Sequence, residues 1–180
     1  MNLRMLIYLT VVTGIVYPLI VTGISLGLMK EKALGSWIKS RDKLVGSEFI
    51  GQKFETDRYF WSRPSAIGYN PLPSGGTNLG PINQDLKKGV DERASLLKNK
   101  HPNGDVPQDL LFSSASGLDP HISPEAALFQ VNRVAQARGL EATALSKLVA
   151  SLTESRQFGF LGEPRVNVLR LNIALDELIK

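Results

Sequence analysis

Residues 5–29 run MLIYLTVVTGIVYPLIVTGISLGLM without one charged side chain. At about 1.5 Å per residue, a helix of this length exceeds the roughly 30 Å hydrocarbon core of a bilayer. Lipid offers the backbone no water, so such a run folds as a helix that satisfies its own N–H and C=O groups. A cleaved signal peptide is the competing reading. Its apolar stretch is shorter, about 7–15 residues, and ends in a small-x-small site. Here the run continues into Met29-Lys30-Glu31-Lys32. The sequence therefore predicts a short tail (1–4), a retained transmembrane helix (5–29), a connector (30–45) and one tethered soluble domain (46–180).

Thr10, Gly14, Pro18 and Thr22 recur every four residues along the anchor, and Gly23 and Gly27 form a GxxxG pair. Small side chains let a second helix approach closely enough for dispersion and weak hydrogen bonds to hold it. Gly and Pro are also common in membrane helices generally, so a partner face and ordinary composition both explain the pattern. Orientation is open on charge. Arg4 precedes the run, whereas Lys30, Lys32, Lys39, Arg41 and Lys43 follow it. Read literally, positive-inside bias places the domain in the cytoplasm, yet large domains translocate largely regardless of charge.

The 180-residue chain leaves about 150 residues beyond the anchor, enough for one domain with its own core. There is no cysteine, which excludes disulfides, thiolate metal sites and a cysteine nucleophile. One of the 21 basic residues, Arg4, precedes the anchor, leaving 20 against 17 acidic ones. Signs are interspersed, and no basic stripe points to nucleic acid.

The element pattern suggests an α+β domain. Phe49-Ile50, Phe54 and Tyr59-Phe60-Trp61 suggest one or two strands. Residues 63–81 form a long loop rich in Gly, Pro, Ser and Asn, a kind usually functional or flexible. Asn83 reads as a helix cap before an inward face of Leu86, Val90, Ala94 and Leu97. Leu110-Leu111-Phe112 reads as a buried strand. Ser123-Pro124-Glu125 opens a helix with a stripe of Ala127, Leu128, Val131, Val134 and Ala135, closed by Gly139. Leu145, Leu148, Val149 and Leu152 mark another helix. Residues 166–171 read as a strand, and 173–180 as a terminal helix capped by Asn172.

Few constellations carry chemistry. Asp119, His121 and one of Ser113, Ser114 or Ser116 supply the residue types of a hydrolase triad, giving a membrane-anchored extracytoplasmic hydrolase as the alternative reading. No G-x-S-x-G elbow is present, and residues so close in one loop seldom converge as a triad needs. Bracing of the turn before Pro124 is the simpler use of Asp119 and His121. His101 and His121 stand apart without a ligand cluster, so no metal site is predicted. Ser74, Gly75, Gly76, Thr77 and Asn78 form a Gly-rich loop whose backbone N–H groups could converge on an anion. It has no lysine and no G-x-x-x-x-G-K-[ST] pattern, which favours a structural or partner-docking loop. Arg63-Pro64 and Pro164-Arg165 place an arginine fork beside a rigid proline, suited to a carboxylate brace.

Several of these segments, in order, resemble one family. They are Gly51-Gln52-Lys53-Phe54, Tyr59-Phe60-Trp61-Ser62-Arg63-Pro64-Ser65-Ala66 and Ser74-Gly75-Gly76-Thr77-Asn78-Leu79-Gly80-Pro81. Ser114-Ala115-Ser116-Gly117-Leu118-Asp119-Pro120-His121-Ile122-Ser123-Pro124 and Arg133-Val134-Ala135-Gln136-Ala137-Arg138-Gly139 follow, and Leu161-Gly162-Glu163-Pro164-Arg165-Val166-Asn167-Val168-Leu169 closes the series. Together, over essentially the whole chain, they are similar to KdpC, the C-subunit family of Kdp-type potassium-transporting ATPases. The resemblance implies a bacterial plasma-membrane complex in which a channel-like subunit selects potassium and a P-type ATPase subunit hydrolyses ATP. A small peptide subunit and the C subunit assist. This chain has no Asp-Lys-Thr-Gly motif, so hydrolysis is expected elsewhere and no firmly bound cofactor here. The resemblance also implies an outward-facing domain and a chaperone effect on ATP affinity, with Ser74 to Asn78 as the nucleotide-contacting candidate. An outward domain is separated from cytosolic ATP by the bilayer, so such an effect would travel through membrane helices as a coupling free energy.

Overall fold

The computed structural model describes residues 3–100 and 104–178, so His101 lies outside the described residues. The chain divides into two compact units, Met1–Ser47 and Glu48–Lys180. The class is as expected: one N-terminal apolar helix, then mixed helix and sheet.

In the first unit, α1 (Leu3–Val11), a π-helical turn (Val12–Val16) and α2 (Tyr17–Leu28) form one apolar run of 26 residues, none of it buried. The wide turn has a local cause. Pro18 lacks the N–H that the Gly14 carbonyl would accept, and its ring crowds that carbonyl. The helix widens just before it, and the Tyr17 N–H donates five residues back, to the Val12 carbonyl. The Thr10 and Thr13 hydroxyls donate to the carbonyls of Leu6 (2.8 Å) and Leu9 (2.7 Å), satisfying themselves without water.

Met29 leaves helical geometry, and α3 (Lys30–Ala33) follows as a single turn. Residues 34–36 fold back on it: the N–H groups of Leu34, Gly35 and Ser36 donate to the carbonyls of Lys30, Lys32 and Glu31. An antiparallel hairpin of β1 (Trp37–Ser40) and β2 (Lys43–Ser47) then forms. Its two turn residues, Arg41 and Asp42, have φ of 49° and 61°. Positive φ at both positions gives a turn whose twist matches that of paired strands. The Ser47 hydroxyl donates to the Gly35 carbonyl at 2.7 Å and ties the hairpin to the corner. Residues 30–45, expected as a connector, thus hold a helical turn and most of a hairpin.

The second unit contains α4 (Gln84–Lys100), α5 (Gln108–Leu111), β3 (His121–Ile122), α6 (Pro124–Arg138), α7 (Ala142–Ser151), β4 (Thr153–Glu154), β5 (Arg165–Asn167) and α8 (Val168–Glu177). The strands form an antiparallel sheet in the order β3-β5-β4. Helix starts follow local chemistry. Asn83 Oδ1 accepts the Asp85 and Leu86 N–H groups at 2.7 and 3.3 Å, Ser123 Oγ accepts the Ala126 N–H at 3.1 Å, and Gly139 ends α6 in the left-handed region.

Several sequence expectations change, and none of Phe49-Ile50, Phe54 or Tyr59-Phe60-Trp61 lies in a strand. Residues 110–112 are not a strand: Pro107 begins a turn that winds as α5, and Leu110 enters the core from it. The strand expected over 166–171 stops at Asn167, whose side chain accepts the Arg170 N–H at 3.1 Å and starts α8 five residues early. The end of the helix expected over 173–180 lies outside the described residues. Leu128 is 48% exposed. At about 100° from Ala127 it leaves the inward face, which takes in Ala126, Gln130 and Arg133 instead.

Phe60, Ile122, Leu145, Leu171 and Leu175 are fully enclosed at the centre. Burying one such side chain stabilises by about 1.5–3 kcal/mol. Phe60 and Trp61 belong to no strand, yet their backbone is paired. Asn172 accepts the Phe60 N–H (2.9 Å) and donates to its carbonyl (3.0 Å). Gln130 does the same for Trp61, at 2.7 and 3.2 Å. Two side-chain amides from α8 and α6 thus replace a neighbouring strand, since buried backbone groups need partners from some source. Arg133 reinforces the strap, donating to the carbonyls of Asp57 (2.9 Å) and Tyr59 (3.1 Å) with its guanidinium over the Trp61 ring. Burial, partly offset by Asp57, lowers its pKa to about 10.

Candidate functional site

Two polar loops that the sequence singled out, 63–81 and 113–121, are bonded to one another. The Ser114 N–H donates to the Pro64 carbonyl (3.2 Å) and the Ser65 hydroxyl to the Gly117 carbonyl (2.7 Å). Ser65 Oγ also accepts the Tyr69 N–H (2.9 Å), and the Tyr69 hydroxyl donates to the Arg63 carbonyl (2.6 Å). Burial first, and Glu55 second, push the Tyr69 pKa up to about 12.

The Gly-rich segment is pinned to the same place. The Gly75 N–H (3.1 Å) and the Ser74 hydroxyl (3.0 Å) both donate to the Ser116 carbonyl. A Cβ on Gly76 would lie 2.9 Å from the Ala115 carbonyl oxygen. Gly117, at φ +69°, would put one 2.5 Å from the Ile67 side chain. These two glycines permit close backbone crossing, a use of glycine distinct from anion binding. Thr77 and Asn78 are exposed, and Asn78 has φ +54°. Two donors of residues 74–78 are engaged inside the chain and no cation lies among them. These features favour a structural or docking loop over a phosphate cradle, with Thr77 and Asn78 exposed at its tip.

Asp119 joins the far end of this assembly. One carboxylate oxygen accepts from Arg63 Nη1 at 3.1 Å, and the other accepts the His121 backbone N–H at 3.0 Å, with His121 Nδ1 at 3.7 Å. Burial opposes the Asp119 charge, but the His121 hydrogen bonds and the Arg63 guanidinium outweigh it and hold its pKa below the usual carboxylate range. Ser114 is buried, and Ser116 Oγ accepts the Leu118 N–H in its own turn. Asp119 therefore sits as a turn brace, with the Arg63 fork on one side and the start of β3 on the other. Arg165 likewise pairs with Glu154 (2.9 Å).

Sequence reasoning missed two surfaces. A cavity of about 330 Å³ lies beside Trp61, Pro64, Arg93, Leu96, Leu97 and Leu110. A turn closed by the Gln157–Leu161 bridge holds Phe158 and Phe160 at 87% and 71% exposure. Phe158 has φ +53°, an uncommon conformation for a bulky residue. The signal was present as two phenylalanines flanking Gly159. Along the anchor, a Cβ added to Gly14, Gly23 or Gly27 would meet nothing within 4 Å.

The chain matches, over residues 1–177, the family described as KdpC: K+-transporting ATPase, c chain. A potassium-transporting ATPase KdpC subunit from Geobacter sulfurreducens is 54% identical over 179 residues, covering 97% of this chain and 95% of that protein. The corresponding subunit of Geotalea uraniireducens is 52% identical over 176 residues (96% and 93%), and that of Methylococcus capsulatus 50% identical over 181 residues (98% and 95%). With the family matched over residues 1–177 and about half of the positions identical over nearly the whole of each relative, the chain belongs to the KdpC family of K+-transporting ATPase c chains.

Proposed function

We propose that this chain is a non-catalytic accessory subunit of an ATP-driven potassium uptake pump of the bacterial plasma membrane. It holds the potassium-channel-like subunit and the P-type ATPase subunit together, with the small peptide subunit beside them. One observation carries the reading: the helix Leu3–Leu28 is entirely unburied within the chain, with open space at Gly14, Gly23 and Gly27. Thr10, Gly14, Pro18 and Thr22 on one stripe, and Gly23 and Gly27 on another about 100° or more round the helix, then supply close-packing surfaces for neighbouring membrane helices. The wide turn before Pro18 supports this. Four residues overshoot an ordinary helical turn by about 40°, and a wider turn reduces that overshoot between Thr10 and Pro18.

The soluble domain faces outward and offers exposed tips, at Thr77-Asn78 and at Phe158-Gly159-Phe160, to the extracytoplasmic surfaces of the large subunits. Phosphorylation and hydrolysis reside in the P-type subunit. A chaperone effect on ATP affinity passes through the membrane helices as a coupling free energy, typically about 1–3 kcal/mol. Purification of the pump in mild detergent with and without this chain tests the proposal. Loss of the association between the two large subunits is expected in its absence. Intact assembly with undiminished transport would refute it.

A further inference from the structure

The hairpin next to the anchor has an unusual surface. Side chains alternate along β1, so Trp37 and Lys39 share a face; β2 bulges at Val45 opposite this stretch, and Leu44 joins that face by pairing directly with Lys39. Trp37 is 57% and Leu44 58% exposed, and Leu34 at the preceding corner is exposed as well. Around them stand Lys30, Lys32, Lys39, Arg41 and Lys43 against only Glu31 and Asp42. Among the described residues none of these five cations forms an ion pair within the chain.

Position supplies the partner. Met29 alone separates the apolar helix from α3, and the hydrogen bonds of residues 34–36 back onto α3 keep the chain from running straight away from the helix end. The Ser47–Gly35 bond fixes the hairpin to that corner. Headgroups occupy about 5–8 Å on each side of the hydrocarbon core, a zone where Trp and Tyr are enriched and Lys and Arg also serve as anchors. A tryptophan, a leucine and unpaired cations on a surface tied to a membrane helix complement an anionic interface in both polarity and charge.

We propose that the β1–β2 hairpin is a lipid-binding element. Trp37 and Leu44 enter the interface of the leaflet in which α2 ends, and Lys39, Lys43 and their basic neighbours hold anionic phospholipid headgroups. This rests on the membrane-anchored reading above and extends it. It also gives the basic residues after the anchor a role that does not depend on positive-inside bias.

The test uses the full-length chain in phosphatidylcholine vesicles carrying, at equal mole fraction, brominated phosphatidylglycerol or brominated phosphatidylcholine. The Trp37 emission is obtained as the difference between the unsubstituted chain and Trp37→Phe. Quenching by both lipids is expected, about twofold or more stronger with phosphatidylglycerol because juxtamembrane cations enrich anionic lipid. Lys39→Gln with Lys43→Gln should remove the excess while leaving the far-UV circular dichroism unchanged. Equal quenching by the two lipids overturns the headgroup assignment. Absence of quenching, or shielding of Trp37 only when the large subunits are present, overturns lipid contact in favour of a protein partner. Alkaline extraction of the same vesicles separates the two readings. A chain that washes off refutes the anchor itself, whereas a retained chain with unquenched Trp37 refutes only the hairpin proposal.

Discussion

Asn172 holds both backbone groups of Phe60, at 2.9 and 3.0 Å, in a fully enclosed part of the core. A side-chain amide there substitutes for a strand, and Gln130 repeats the device one residue on at Trp61. Asn172→Leu removes both partners while leaving two buried backbone groups unpaired, each costing about 1–3 kcal/mol. Denaturant unfolding of the full chain in detergent, followed by Trp61 fluorescence, is expected to show a loss of that order. Little change in midpoint would mean that water serves these groups instead.

The glycine loop gives a sharper contrast. Gly76→Ala drives a Cβ to 2.9 Å from the Ala115 carbonyl oxygen, whereas Gly75 has open space. The first substitution should cost about 1–3 kcal/mol by forcing the loops apart, and Gly75→Ala well under 1 kcal/mol. Thermal melts of the two variants decide it. If Gly75→Ala leaves stability unchanged but abolishes ATP labelling of this chain, the loop touches nucleotide directly and the docking reading of residues 74–78 is wrong.

Asp119 makes the domain pH-sensitive in one direction. Its pKa in the folded state lies below the ordinary 3.8, so its contribution is fully present above that value and disappears as pH falls through the lower, folded pKa. Asp119→Asn should destabilise the chain near neutrality by about 1–2 kcal/mol, since the Arg63 and Asp119 side chains are each only 28% exposed. The gap between variant and parent should close below pH 3.8. A hydrolase role predicts instead a lost activity with stability intact.

Phe158 and Phe160 supply a test of the soluble surface. Their exposure of 87% and 71% means that the chain itself gains little from them. Phe158→Ser with Phe160→Ser should leave the melting temperature within a few degrees. Co-purification with the large subunits should weaken by about tenfold or more if the turn fills a partner pocket. Unchanged co-purification would remove this turn from the docking surface.

Local chemistry made much of this structure legible beforehand. Asn83, Ser123 and Gly139 declare helix ends through groups a few residues away, and the uncharged run of residues 5–29 declares the anchor by length. Leu110-Leu111-Phe112 did not, because a three-residue apolar run has no period to distinguish strand from helical turn. Asn172 misled for a related reason: it looks like a cap, but Asn167 serves first and frees Asn172 for Phe60, 112 residues away. At the candidate site, the Gly-rich composition of 74–80 was visible. The reason for Gly76, a crossing with Ala115, depends on a contact between distant segments. Nor does any local rule place Arg63 against Asp119, although each stood out alone.

The membrane helix carries the central claim, and substitutions along it test that claim most directly. Gly14→Leu and Gly23→Leu each fill one of the proposed close-packing stripes, while Val21→Phe adds bulk roughly opposite Gly23 on α2. The measurement is the fraction of the two large subunits that co-purify with each variant in mild detergent, alongside confirmation that every variant resists alkaline extraction. The glycine substitutions should lose most of the complex while Val21→Phe retains it. Equal recovery for all three would contradict assembly through these stripes.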